Sequence, residues 1–143
     1  MIKCVFCIEQ HRWIVKAYID TTKDDADVIL DELDSIGADM ETMSEAYRNL
    51  RGGLPNTGLT FTSTWNRETV IVVSKATGAE EFFNSFIHEI CHAKTHICEY
   101  LGIDLSSEQA AYFIGGLARD LFPYAKHLLC DCCRRKLSGH SEH

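Results

Sequence analysis

Apolar residues recur first at every second position and later at every third or fourth, and the switches between these periods divide the chain into elements. Within residues 8–20, Trp13, Val15, Ala17 and Ile19 alternate with their neighbours, which predicts a strand with one face in the core. Thr21 and Thr22 then supply capping oxygens, and Asp24 and Asp25 supply first-turn acids. Ala26, Ile29, Leu30, Leu33 and Ile36 follow at helical spacing and stop at Gly37. A second helix is predicted over 40–50, with Met43, Ala46, Tyr47 and Leu50 on one side and Gly52-Gly53 ending it. Leu54-Pro55-Asn56-Thr57-Gly58 is turn chemistry. Residues 59–64 and 69–74 are rich in β-branched and aromatic side chains and predict a hairpin across Trp65-Asn66-Arg67-Glu68. Helices are expected over 79–101 and 107–121, with a shorter piece over 124–129 and a flexible tail after about residue 133.

Strands and helices are therefore partly segregated along the chain. The expectation is an α+β fold with a short mixed or antiparallel sheet. With 143 residues and no internal repeat or long linker, residues 1–143 read as one domain, large enough to bury a core without disulfide staples. The formal charge of −7, from 14 Lys and Arg against 21 Asp and Glu, argues against a nucleic-acid partner, whose phosphates must be met by cations. Arg134-Arg135-Lys136 is a local exception of only three residues. The first residues lack the apolar core and cleavage site of a signal peptide, and no apolar run approaches the roughly 20 residues that span a bilayer. Seven cysteines without such a signal fit free thiols or metal ligands in a reducing, cytoplasmic setting.

The chemistry concentrates in His88-Glu89-Ile90-Cys91-His92. Histidines at i and i+4 on a helix lie on one side, one turn apart, so both imidazoles can reach one ion. Glu89 projects about 100° away from His88, where it can act as a base beside water instead of becoming a ligand. Phe82, Phe86, Ile90, Ile97 and Leu101, joined by Phe83 and Ile87, form a broad apolar stripe on the side opposite the histidines. Two histidines rarely hold a catalytic Zn2+ without a third protein ligand. Glu108 is the candidate: it lies sixteen residues after His92, past the break Gly102-Ile103-Asp104, in the first turn of a helix capped by Ser106 or Ser107. His96 is a poorer ligand, because eight residues from His88 amount to about 12 Å along a straight helix. Glu99 fails in the same way, and both read as supporting or solvent residues.

These residues resemble those of zincins, the His-Glu-x-x-His metallopeptidases, and more narrowly the gluzincins, whose third ligand is a glutamate on a following helix. Glu108-Gln109-Ala110-Ala111-Tyr112-Phe113 is loosely similar to the glutamate helix of ImmA/IrrE-type peptidases. The likeness covers about residues 59–121. It implies a zinc peptidase with ligands His88, His92 and Glu108 and with Glu89 as general base. The substrate would be a peptide or protein, held extended along an edge strand drawn from 59–64 or 69–74. One departure is Tyr112, which stands where thermolysin-like members place the aspartate that holds the first histidine; Asp120 or a backbone carbonyl is left for that task. Tyr100, Tyr112, Tyr124 and His127 are all open as transition-state donors.

Cys4, Cys7, Cys130 and Cys133 suggest a second, structural metal site joining the chain ends. Against it, three steps along a strand put Cys4 and Cys7 on opposite faces. Cys91 and Cys98 read as buried thiols. The alternative to an enzyme is a zinc-binding, catalytically degenerate interaction or regulatory module. Glu89 speaks for the enzyme, since a pure binding site needs no carboxylate beside the water.

Overall fold

The computed structural model describes residues 1–138. Strands β1 (Ile2–Ile8) and β2 (Trp13–Thr21) form a hairpin, followed by helices α1 (Ala26–Ser35) and α2 (Met40–Arg51). A second hairpin, β3 (Gly58–Ser63) and β4 (Glu68–Ser74), leads into α3 (Ala79–Leu101), α4 (Glu108–Ala125) and α5 (Asp131–Ser138). The sheet order is β1-β2-β4-β3. Both hairpins are antiparallel, and they join through a parallel β2–β4 pairing, so the α+β expectation holds with a mixed sheet.

The alternation in β2 sorts the two faces. Trp13, Val15, Ala17 and Ile19 are all fully buried and meet Phe82, Phe86, Ile90 and Ile97 of α3 and Leu117 and Leu121 of α4. On the opposite face, Tyr18, Val70, Val72 and Leu59 pack against Ile29 and Leu33 of α1 and Ala46 and Leu50 of α2. Lys16 also lies on that face, its ammonium 2.6 Å from Glu32 Oε1 and 3.1 Å from Glu68 Oε1. Two helical layers thus enclose β2 and β4, while β1 and β3 each pair on one side only.

Helix ends follow local chemistry. The Asp39 carboxylate accepts from Thr42 N at 2.7 Å at the start of α2, and the Ser107 hydroxyl accepts from Ala110 N at 3.1 Å at the start of α4. Gly102 closes α3 with φ 72°, a left-handed conformation that a side chain would strain.

Three expectations need correction. The first strand is β1, not the segment starting at residue 8. With Ile2, Cys4, Val5, Phe6, Cys7 and Ile8 all apolar, its alternation is hidden, although only Cys4 is fully buried. Helix α4 runs past residue 121 through Pro123 to Ala125, because Leu117, Leu121 and Ala125 continue one buried stripe across the missing amide. The stretch after residue 133 is helical through Ser138, while residues 139–143 lie outside the described residues. Helix α5 is anchored by tertiary contacts: Asp131 Oδ1 accepts from Ala79 N at 2.9 Å, and the Arg134 guanidinium donates to the Ala76 carbonyl. Among the described residues no helix is long and apolar enough to cross a membrane.

Candidate metal and catalytic site

Helix α3 rests on the sheet through Phe82, Ser85, Phe86, Glu89, Ile90, Ala93 and Ile97. That spacing turns His88 and His92 outward, and both are exposed. Phe83 and Ile87, expected in the apolar stripe, are 53% and 37% exposed and so lie outside it. The two imidazoles meet nearly edge to face, with ring centroids 4.7 Å apart and Nε2 atoms 3.1 Å apart. A tetrahedral ion with Zn–N bonds of about 2.0–2.1 Å would separate two ligand nitrogens by about 3.3 Å, so the pair fits adjacent corners of one such site. The same distance also suits an N–H···N hydrogen bond between a donor ring and an acceptor ring.

Glu89 takes the opposite course. It is only 5% exposed and lies against edge strand β3. Thr60 Oγ1 donates to Glu89 Oε1 at 2.8 Å and lies 3.2 Å from the Glu89 backbone carbonyl. A Cβ built on Gly58 would fall 2.6 Å from Glu89 Oε2 and 2.7 Å from Glu89 Cγ, distances no real side chain tolerates. Glycine at 58 therefore makes the cradle in which the carboxylate sits. Burial pushes the Glu89 carboxyl above the usual carboxylate range; the Thr60 hydroxyl and the field of His88 and His92 pull it back, and Glu45 of α2 adds to the rise. The site thus has a wet side bearing two imidazoles and a dry side bearing one carboxylate.

One turn beyond His92, His96 is half-buried, its ring centroid 6.3 Å from that of His92. Its Nδ1 lies 3.0 Å from Thr62 Oγ1, and Thr62 Oγ1 lies 2.9 Å from Thr69 Oγ1. Thr69 Oγ1 in turn accepts from the buried indole N–H of Trp13 at 2.9 Å. Burial holds the His96 pKa below its ordinary value, helped by the charge of His92 and opposed by Glu99. His96 is therefore tied to the edge strand, where the sequence suggested a supporting or solvent residue. Gly58, Thr60 and Thr62 were missed as site residues. Their signal is the period of two: in β3 the helix-facing positions are the small and polar ones, while Leu59 and Phe61 face the other layer.

The remaining candidates are placed as follows. Glu108 is exposed in the first turn of α4, and its carboxylate makes no hydrogen bond or ion pair among the described residues. Among those residues no group of three or more His, Cys, Asp or Glu side chains converges as a metal site, so Glu108 does not stand with the histidine pair here. Asp120 faces away from the pair: it bonds Arg119 at 3.3 Å and lines a groove with Ile8, Gln10 and Tyr112. Tyr124 lies beside Cys4 on β1, the far edge of the sheet from β3. Tyr100 packs edge-on against Trp13 and beneath the Arg67 guanidinium.

The four cysteines do not gather. Cys4 is buried and its thiol pushed up by that burial, Cys7 is exposed, and Cys130 and Cys133 are free thiols that share a hydrogen bond. The backbone amides of Cys133 and Cys132 hold the Cys130 thiol below its ordinary pKa. Cys98 is buried as expected, whereas Cys91 is exposed, because it follows Ile90 around the helix onto the solvent side.

No protein-family model matches the chain, and no curated protein or solved structure does either.

Proposed function

We propose that this protein is a zinc-dependent hydrolase of the peptidase class, with Glu89 as its general base. The observation that carries the reading is a buried carboxylate cradled by Gly58 and Thr60, one residue from two imidazoles whose Nε2 atoms lie 3.1 Å apart. His88 and His92 would hold the ion. Glu108, exposed in the first turn of α4 and apart from the pair in this structure, is the proposed third ligand and would have to be brought to the histidines when the ion binds. Bound zinc would supply a water acidified from a pKa of about 15.7 towards 7 and polarisation of the scissile carbonyl.

The chain's own residues do the rest. Glu89 accepts a proton from the attacking water and delivers it to the leaving amine. Thr60 fixes one carboxylate oxygen, so the other is oriented without a conformational search. Among the described residues strand β3 has an unpaired edge, and an extended peptide can pair with it by strand addition. Strand β4, the other candidate edge, is paired on both sides and is unavailable for this. The substrate is accordingly a peptide or a protein segment that can extend. The net charge of −7 makes nucleic acid an unfavourable partner, and seven free thiols suit a cytoplasmic setting.

The test is metal analysis beside peptide-library cleavage by wild type and Glu89→Gln. Both should carry stoichiometric zinc, and the variant should lose cleavage by about 10²–10⁴-fold. Stoichiometric zinc with no cleavage by wild type would leave the non-catalytic binding module. Undiminished zinc affinity in Glu108→Gln would remove that residue from the ligand set.

A further inference from the structure

The hydrogen bonds between Trp13 and His96 have one end whose direction is set, and the need to place every proton favours one direction for the rest. An indole N–H donates and never accepts, so Thr69 Oγ1 is the acceptor in the 2.9 Å contact with Trp13. Thr69 is fully buried and must place its own proton; the acceptor at hand is Thr62 Oγ1, its cross-strand partner, at 2.9 Å. With Thr62 receiving from Thr69, His96 Nδ1 at 3.0 Å is the partner that can take the Thr62 proton; a donating Nδ1–H would leave that proton without a partner in this chain of hydrogen bonds. A neutral imidazole that accepts at Nδ1 carries its hydrogen on Nε2. A buried tryptophan thus biases the tautomer of a histidine on another element.

We propose that this relay holds His96 as the Nε2–H tautomer and makes it the hydrogen-bond donor to the oxygen that gains negative charge when a peptide carbonyl beside β3 is attacked; the proposal rests on the peptidase reading. The ring stands one helical turn from His92, on the side of α3 that faces the edge strand. Trp13 and Thr69, both 0% exposed, give the relay a rigid root, so the donor is oriented before substrate arrives. In the step, the water oxygen bonds to the carbonyl carbon and the water proton passes to Glu89. The carbonyl π pair moves onto its oxygen, which accepts from His96 Nε2–H, and His96 keeps its proton. On collapse that pair re-forms the carbonyl, the C–N bond breaks, and the amine leaves with the proton from Glu89. With Nδ1 engaged and Nε2 protonated, His96 has no lone pair left for a metal.

The experiment combines ¹⁵N NMR of the histidine rings in the full chain with zinc analysis and kinetics of Thr62→Val, Thr62→Ser, His96→Phe and His96→Gln. In wild type at neutral pH, His96 should be the Nε2–H tautomer. Thr62→Ser should keep it so, and Thr62→Val should shift the population towards Nδ1–H. His96→Phe should lower kcat by about 10²–10³-fold, with His96→Gln regaining part of the loss by restoring a donor. KM should stay within about twofold and zinc should stay stoichiometric throughout. An Nδ1–H or doubly protonated ring in an active wild-type peptidase overturns the relay alone. Loss of zinc in His96→Phe makes His96 a ligand, and a rise in KM with kcat intact makes it a plain binding contact; either overturns the donor role. A zinc-loaded wild type that cleaves nothing overturns the peptidase reading, and the donor role with it, whichever tautomer is seen.

Discussion

Strands β1 and β3 close the sheet at opposite ends, each paired on one side and each passing beneath the same helical layer. Their helix-facing residues differ in kind. In β1 these are Ile2, Cys4, Phe6 and Ile8, and they extend the core under α4. In β3 they are Gly58, Thr60 and Thr62, and they receive Glu89 and His96 from α3. An apolar edge gains stability by removing surface from water. A hydroxyl-lined edge forgoes much of that gain and in return holds polar side chains in fixed orientations. The contrast teaches that a site can be found by asking where a buried face stops being hydrophobic.

The strongest way to break the contrast is to give β3 a side chain where it has none. Gly58→Val would drive a methyl-bearing carbon into the Glu89 carboxylate, and the strand or the acid must move. Stability should fall by about 2–3 kcal/mol by urea titration. If Glu89 is the general base of the proposed peptidase, peptide cleavage should fall by about 10²-fold, as expected when such a group is displaced by about 1 Å. Unchanged cleavage would show that the cradle has no part in the chemistry.

The converse change puts β3 chemistry into β1. Phe6 is half-buried, so Phe6→Thr should cost about 1–2 kcal/mol through lost packing, with kcat within twofold of wild type. A large fall in kcat would mean that the two edges are not independent.

The mildest test lies on the other face of the sheet. Lys16→Met removes the cation shared by Glu32 and Glu68, and with Lys16 and Glu32 partly exposed and Glu68 buried it should cost about 1–2 kcal/mol at pH 7 without altering turnover. The hydrogen bond to Glu32 is the largest of the influences that raise the Lys16 pKa above its model-compound 10.5, so its contribution is complete below that pH and fades as pH climbs through the higher folded value. Urea midpoints of wild type and variant should therefore differ by a constant amount from neutral pH to about 10 and converge above it. A gap that persists at strongly alkaline pH would place the effect in packing.

What the sequence reveals and what it hides divide along physical lines. Helix α3 is legible from end to end, since Gly78 and Gly102 bracket an uninterrupted helical period that also turns His88 and His92 outward. The core face of β2 is equally plain, because strict alternation leaves one arrangement. The cradle and the relay are not legible in this way. Each depends on register between segments far apart in the chain, with Glu89 reached by Thr60 and Thr69 reached by Trp13, and local periodicity carries no information about such pairings. Helix α5 is hidden for a related reason, as its hold comes from Ala76 and Ala79 more than fifty positions earlier.

That clasp bears on how the chain is handled at the bench. Helix α5 fastens to the backbone at which α3 begins, so a purification tag or trimming cut that drags residues 131–138 loose would take a partner from the Ala79 amide and leave the leading turn ahead of His88 ragged. An affinity handle is better kept clear of that junction by a spacer.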